Sequence, residues 1–398
     1  YKRKMKMEQR KDRMQNKIYR ERALSYFRNV PCLSYEKDTE TGAFYQEDGS
    51  LIIRLFLPNV HRLEMILYVS GKVQISIPVK RKDEGVFEGI ISMQESYAGS
   101  QRLVLFADGI EYLSPELPIG WIGNQPANIV EIPELEDDYI QSAGISHGYM
   151  LSAIYDSKVV GMEMRCIIYT PPEYMNSQET YPVLYLLHGG TENELAWATF
   201  YKVRSIMDRL IAEQKARPCL IVMNNGMVRF TQNEEFVWDG AMEDMLIKDC
   251  IPFVEQEFRV KRGKWNRAVA GLSMGAYMTN DIGLRHPELF GYMGQFTGCM
   301  YHETDFPDYE RPYLKVMEEA RKDLSSFSRN YRLFFRSTTP LEDHFDYFEK
   351  DDDICRKAGI DKLSCYHRIV YPSQTSKCSS WRQGLRDFMK LVFQQAEE

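Results

Sequence analysis

The sequence predicts a small β-sandwich followed by a larger α/β unit, in which a mostly parallel sheet carries helices on both faces. Three observations predict it. Residues 43–135 hold short runs rich in Val, Ile, Leu and Phe, separated by turn residues. Residues 136–398 alternate apolar strand-like runs with helical stretches. One of those runs, Trp265–Ala270, leads into Gly271-Leu272-Ser273-Met274-Gly275 and then into a helix.

Taken in order, residues 1–42 form a basic lead-in, with a polar helix expected over residues 2–27 because helix formers dominate and Gly and Pro are absent. Residues 1–22 carry ten Lys/Arg against three Asp/Glu, on a chain whose net charge is -7. Such a leader is a solvated helix or a contact for nucleic acid or membrane. Aromatic residues hardly interleave with the basic ones, so no stacking platform for bases is present and no nucleic-acid partner is expected. In the sandwich, strands are expected at Leu51–Phe56, Leu63–Val69, Val73–Val79, Val86–Ser92 and Arg102–Phe106. Pro115–Pro133 contains four Pro residues and reads as a linker.

In the α/β unit, strands are expected at Met162–Tyr169, Val183–Leu187, Cys219–Met223, Arg267–Ala270, Tyr292–Thr297, Leu333–Arg336 and Tyr366–Tyr371. Helices are expected between them, at Val203–Gln214, Glu243–Phe258, Ala276–Arg285, Tyr313–Ser325, Phe345–Ala358 and Ser380–Gln395. In an open α/β sheet the functional residues lie in loops at the carboxyl ends of the strands.

The eight Cys residues are scattered, with no C-x-x-C pair and no Cys/His ligand spacing, so no metal is expected. Several sit in apolar runs, the pattern of buried reduced thiols in a cytoplasmic protein. No apolar run reaches the roughly 18–20 residues of a membrane span, and no signal-peptide pattern is visible. No cofactor, membrane or nucleic-acid partner is therefore expected; homo-oligomerisation stays open.

The chemistry-bearing motif is the G-x-S-x-G turn. It places Ser273 on a sharp strand-to-helix bend, in a strained conformation, with glycines where side chains would collide. The helix that follows points its N-terminus at the site, which favours developing negative charge. An oxyanion hole needs two backbone N–H groups aimed at one point. One is expected from Met274. The other is expected from Gly189 or Gly190, in the His188-Gly189-Gly190-Thr191 loop after an apolar strand. His188 reads as a scaffold for that loop rather than an acid or base. With Trp197, Asn225 and Trp238, chosen from their loop positions, it is expected to border the substrate.

These stretches resemble a family of esterases that includes esterase D, feruloyl and acetylxylan esterases, and enterochelin esterases. The resemblance rests on Tyr169-Thr170-Pro171-Pro172-Glu173-Tyr174, Tyr181–Gly190 with Trp197, Val222–Gly226, Asp249–Val260, Ala270–Met274 and Arg285–Phe290, and it spans roughly Gly144 to Phe393. It implies an α/β-hydrolase fold and a Ser–acid–His triad, in that chain order, acting through an acyl-enzyme. It also implies a small-molecule ester or acylated carbohydrate as substrate.

The chain departs from that pattern where the base belongs. The family commonly shows Tyr-Pro-Gly-Gly-His before a Trp-Arg helix start. Here Tyr371-Pro372 is followed by Ser373–Ser380 and then Trp381-Arg382, and Ser376 falls where the His is expected. The acid loop reads Ser337-Thr338-Thr339-Pro340-Leu341-Glu342-Asp343-His344. Glu342 or Asp343 is either the acid or a solvated loop charge. Three accounts stay open: a degenerate relative that binds more than it cleaves; His344 as a relocated base; or a base from elsewhere, such as Lys377 with a pKa lowered by burial. His302 lies past the strand Tyr292–Thr297, at the same sheet edge. His147, His286 and His367 read as structural, and His61 lies in the β region. Two functions follow: a serine carboxylic-ester hydrolase acting on an acylated sugar, a hydroxycinnamoyl ester or a siderophore-type ester, or a non-catalytic ligand-binding or scaffolding module on the same fold.

Overall fold

The computed structural model describes residues 41–46, 50–69, 73–83, 85–92, 97–132, 144–228, 240–300, 311–372 and 376–394. The chain divides into two compact units, residues 1–143 and 144–398. The polar helix expected over residues 2–27 lies outside the described residues.

Among the described residues, the first unit has ten strands: β1 (Gly42–Tyr45), β2 (Leu51–Phe56), β3 (Leu63–Val69), β4 (Val73–Ile77), β5 (Val79–Asp83), β6 (Val86–Ile91), β7 (Gly99–Ala107), β8 (Ile110–Tyr112), β9 (Ile119–Ile122) and β10 (Gln125–Ile132). They form two sheets, ordered β1-β2-β6-β5 and β4-β3-β7-β10-β9, with β8 on β7. In β2 and β3 buried and half-buried residues alternate strictly, the period of a strand with one face on a core. Leu51, Ile53 and Leu55 of one sheet and Met65, Leu67, Leu103 and Leu105 of the other share that core, which makes the unit a sandwich. The linker expected at Pro115–Pro133 is corrected: β9 and β10 lie there, paired Gln125 to Ile122 and Asn128 to Ile119. Pro126 sits at the second residue of β10, and Pro118 directly precedes β9. The proline count was therefore a poor guide to pairing.

The second unit holds an eight-stranded sheet in the order β11-β12-β14-β13-β15-β16-β17-β18. Its strands are β11 (Tyr149–Ser157), β12 (Met162–Thr170), β13 (Val183–Leu187), β14 (Leu220–Asn224), β15 (Arg267–Leu272), β16 (Tyr292–Phe296), β17 (Leu333–Thr338) and β18 (Tyr366–Val370). β12 runs antiparallel to both neighbours, and β14 through β18 are parallel. β13, β14, β15 and β16 are buried at every residue, as parallel strands covered on both faces must be. β11, the exposed edge strand, was not read from the sequence, because its mixed residues Tyr149–Ser157 carry no run of β-branched residues.

The register sets the functional edge. Leu187 pairs with Gly271, Leu272 with Phe296, Phe296 with Ser337, and Thr338 with Val370. The loops that begin at His188, Ser273, Thr297, Thr339 and Tyr371 therefore leave the sheet on one side. No helix among the described residues is long and apolar enough to cross a membrane. Burial pushes the thiols of Cys219 and Cys250 up to about 12, which keeps them protonated and inert.

β17 carries one fully buried cation. The Arg336 side chain is 0% exposed and pairs with Asp351 at 3.3 Å and Asp352 at 2.8 Å. It also donates to the Phe348 carbonyl at 3.0 Å and lies over the Phe348 ring. The cation thereby joins β17 to the helix Phe345–Ala358 that follows the acid loop. Replacing it by Met leaves Asp351 buried without its cation, so Arg336→Met is expected to cost about 3–5 kcal/mol of stability, read as a lowered urea midpoint at unchanged slope.

Candidate active site

The site is assembled around Ser273, at φ 49 and ψ -118 between β15 and the helix Met274–Arg285. A non-glycine residue at positive φ costs on the order of 1–3 kcal/mol and persists only where the surroundings over-determine it. Here they do. A Cβ on Gly271 would lie 2.5 Å from the Gly275 backbone, and one on Gly275 would lie 2.6 Å from the His188 carbonyl oxygen. The two glycines thus allow strand, helix start and oxyanion loop to touch backbone to backbone. The Ser273 N–H donates to the Phe296 carbonyl at 3.0 Å. Its side chain is half-buried, and no hydrogen bond of its hydroxyl is recorded among the described residues.

Two residues beside this serine are candidates to supply amides. Met274 opens its helix, so its N–H has no intrahelical acceptor. A Cβ on Gly190 would stand 3.9 Å from the Met274 Cβ, so that exposed glycine lies alongside. The expectation for Gly189 is corrected: its N–H donates to the Glu192 carboxylate at 2.9 Å and is not available to a substrate. Glu192 also accepts from the Tyr201 hydroxyl at 2.5 Å, and burial holds its carboxyl above the usual range. The candidate hole is therefore Met274 with Gly190.

His188 is 2% exposed. Its Nδ1 donates to the Gly189 carbonyl at 2.7 Å, and its Nε2 accepts from the Gly226 N–H at 2.8 Å. That pattern needs the neutral ring, and burial lowers its pKa accordingly. His188 thus ties the loop after β13 to the loop after β14 and offers a substrate neither nitrogen. Asn225 accepts from the Met227 N–H at 2.9 Å, shaping the same turn.

The expectation that Trp197 borders the substrate is corrected. It is 1% exposed. Its Nε1 donates to the Leu187 carbonyl at 2.9 Å, and its ring meets Phe296 edge-on. Its ring is part of the packing beneath the end of β13. Trp238 lies outside the described residues.

Among the described residues, no hydrogen bond joins a histidine to Ser273. Ser376, where the family pattern puts the base, is buried and caps the helix Lys377–Met389 by accepting from the Ser379 N–H at 3.1 Å. Next to it, the Lys377 ammonium lies 3.3 Å from Glu342 and 3.4 Å from Asp343. Glu342 also accepts from Trp381 Nε1 at 2.8 Å, and burial nevertheless leaves its carboxyl above the ordinary range. Asp343 is half-exposed on the outside of this pair.

His344 is exposed and stacks on Tyr347, with ring centroids 5.1 Å apart. No hydrogen bond joins it to Ser273 among the described residues. His147 pairs with Asp208, His286 with Glu243 and Glu288, and His61 with Asp108; His367 is within β18. His302 lies outside the described residues. Thr297, at φ 56 directly after β16, went unnoticed in the sequence. A β-branched residue with positive φ is an outlier, and no residue pattern announces one.

The comparisons with known proteins concern family and fold. Residues 157–335 match the family model described as "Putative esterase", the family expected from the sequence. The chain is 38% identical over 187 residues to an endo-1,4-beta-xylanase/feruloyl esterase of Xylanibacter ruminicola, covering 45% of this chain and 26% of that protein. It is 31% identical over 152 residues to an esterase of Mycobacterium tuberculosis, covering 37% and 30%. The chain thus spans less than a third of the length of either relative.

Among solved structures, the ferulic acid esterase of Anaeromyces mucronatus in complex with ferulic acid superposes with a TM-score of 0.54 at 18% identity, over 65% of this chain and 95% of that one. The enterochelin esterase of Shigella flexneri does so with a TM-score of 0.56 at 14% identity, over 88% and 95%. The fold is that of the α/β-hydrolases.

The neutral state of His188 makes the oxyanion loop pH-sensitive. The folded-state pKa is depressed, so its stabilising contribution is full above the unfolded value near roughly 6.5. It is lost as pH falls from there through the folded-state pKa, because the unfolded chain takes up the proton first. The gap in Tm between wild type and His188→Gln should shrink as a pH series is carried downward from 8 to 5. A gap independent of pH would show that the ring is not held neutral.

Proposed function

We propose that residues 144–398 act as a serine carboxylic-ester hydrolase, with Ser273 as nucleophile and the Met274 and Gly190 amides stabilising the oxyanion. The observation that carries this reading is the strained, half-buried Ser273, with no hydroxyl partner among the described residues, at the start of a helix whose first amide has no intrahelical acceptor. Attack of the hydroxyl on an ester carbonyl gives a tetrahedral oxyanion. The helix N-terminus and the two N–H groups stabilise it in place, without reorganisation at the moment of reaction. Its collapse expels the alcohol and leaves an acyl-enzyme, which water then hydrolyses. The reaction needs no cofactor.

For the substrate we favour a hydroxycinnamoyl ester of a carbohydrate, because the relative that is 38% identical carries the name of a feruloyl esterase. An otherwise acylated sugar or a siderophore-type ester makes the same demand on the site. The location we expect is cytoplasmic. A second reading, a module that binds such esters without turnover, is favoured by one observation: the base position is filled by Ser376, spent as a helix cap. Removal of a triad member from a serine hydrolase leaves roughly a thousand-fold over water, so slow acylation and the binding module are separable by experiment.

Wild type mixed with p-nitrophenyl acetate and with methyl ferulate should release a burst of alcohol equal to the enzyme concentration. Ser273→Ala should give none. Ferulate binding by wild type with no burst between pH 5 and 9 would replace the hydrolase by the binding module.

A further inference from the structure

Resting on the hydrolase reading, the geometry points to Asp351 as a positioning residue for Ser273. From the helix Phe345–Ala358 it holds residues 297–300 against the first helical turn after the nucleophile, and so fixes that serine through the backbone. The Thr297 N–H reaches the Ser337 carbonyl at 2.7 Å. Beyond it the chain has left β16, and its buried amides need acceptors other than the sheet. Cys299 and Met300 are buried, at 2% and 1% exposed.

These residues lie directly against the elbow. The Ser273 N–H donates to the Phe296 carbonyl at 3.0 Å. A Cβ on Gly298 would run into Ala276, and the Cys299 sulfur lies 3.4 Å from the Tyr277 hydroxyl oxygen. Ala276 and Tyr277 stand three and four residues past Ser273, on the helix that it starts. The segment thus touches the nucleophile's backbone on one side and the next helical turn on the other.

Asp351 holds its far end. The Met300 N–H donates to Asp351 Oδ2 at 2.6 Å, a short charge-assisted bond. The Asp351 side chain is 0% exposed, and the same oxygen lies 3.3 Å from the Arg336 guanidinium on β17. Arg336 in turn donates to Asp352 at 2.8 Å and to the Tyr366 hydroxyl at 2.9 Å, and Asp352 meets Arg368 on β18 at 2.6 Å. The carboxylate is therefore located by the sheet itself. A buried ion pair adds little stability that packed apolar side chains would not supply. What an apolar side chain cannot supply is an acceptor for the Met300 N–H, kept in register with the strands. Displacing a reacting group by about 1 Å costs on the order of 100-fold in rate, so a segment packed on the elbow has to be held this firmly.

The test is the rate of Ser273 phosphonylation by a fluorophosphonate, read by intact mass well below the melting transition of each variant, with hydrogen exchange at the Met300 amide in parallel. Asp351→Ala should slow labelling by about 100-fold and remove the protection of that amide. Asp351→Asn keeps the acceptor and loses the charge. It should lower the urea midpoint as Asp351→Ala does, yet retain most of the labelling rate and the protection, which separates positioning from stability. Gly298→Ala, with Asp351 intact, should push the segment off Ala276 and slow labelling too, and it decides the matter if Asp351→Ala does not fold. Labelling of Asp351→Ala or Gly298→Ala at the wild-type rate, or of Asp351→Asn as slowly as Asp351→Ala, would overturn the positioning role and leave the hydrolase intact. Absence of labelling in wild type would overturn both.

Discussion

The site depends on one steric constraint, the backbone contact between the start of the helix after β15 and the loop after β13. Gly275 brings its Cα so close to the His188 carbonyl that a methyl group would lie 2.6 Å from that oxygen. Because the contact is backbone to backbone, it cannot yield by a side-chain rotation. It fixes the helix N-terminus against the loop after β13, with Ser273 at positive φ between strand and helix and Gly190 alongside Met274. The parallel register beneath, Leu187 opposite Gly271, delivers both segments to the same height on the sheet.

A loop pressed against a helix start exposes its own polar groups to burial, and each must be satisfied. His188 closes the loop on itself and on Gly226, Glu192 takes up the Gly189 amide, and Trp197 takes the Leu187 carbonyl. These bonds explain why the loop is rich in residues that look chemical and act as framework. On the other side of Ser273 the framework has changed in kind. A buried Ser caps a helix, and a Lys–Glu pair fills the space beside it.

The sequence carried most of this. The strands β2, β3 and β13 are bounded as their apolar runs predict, because alternation and continuous apolarity record one-faced and two-faced burial directly. The elbow was legible because glycine spacing is itself a steric statement. The losses have physical causes. Which of Gly189 and Gly190 turns its amide to the substrate depends on where Glu192 folds back, three residues on. Trp197 was taken for a lining residue because depth below a loop has no signature in composition. The strands β9 and β10 hid behind prolines that sit at strand ends, where a missing N–H costs little. Thr297 was invisible because positive φ in a β-branched residue is imposed by its neighbours.

The strain at Ser273 bears on whether the edge still works. Its cost, on the order of 1–3 kcal/mol, is a sizeable part of the 5–15 kcal/mol that separates folded from unfolded chains, and glycine at the same place would remove it. No structural bond of the hydroxyl is recorded among the described residues to offset it. A fold that no longer used the side chain would therefore gain stability by losing it, whereas a nucleophile has to be held in this way.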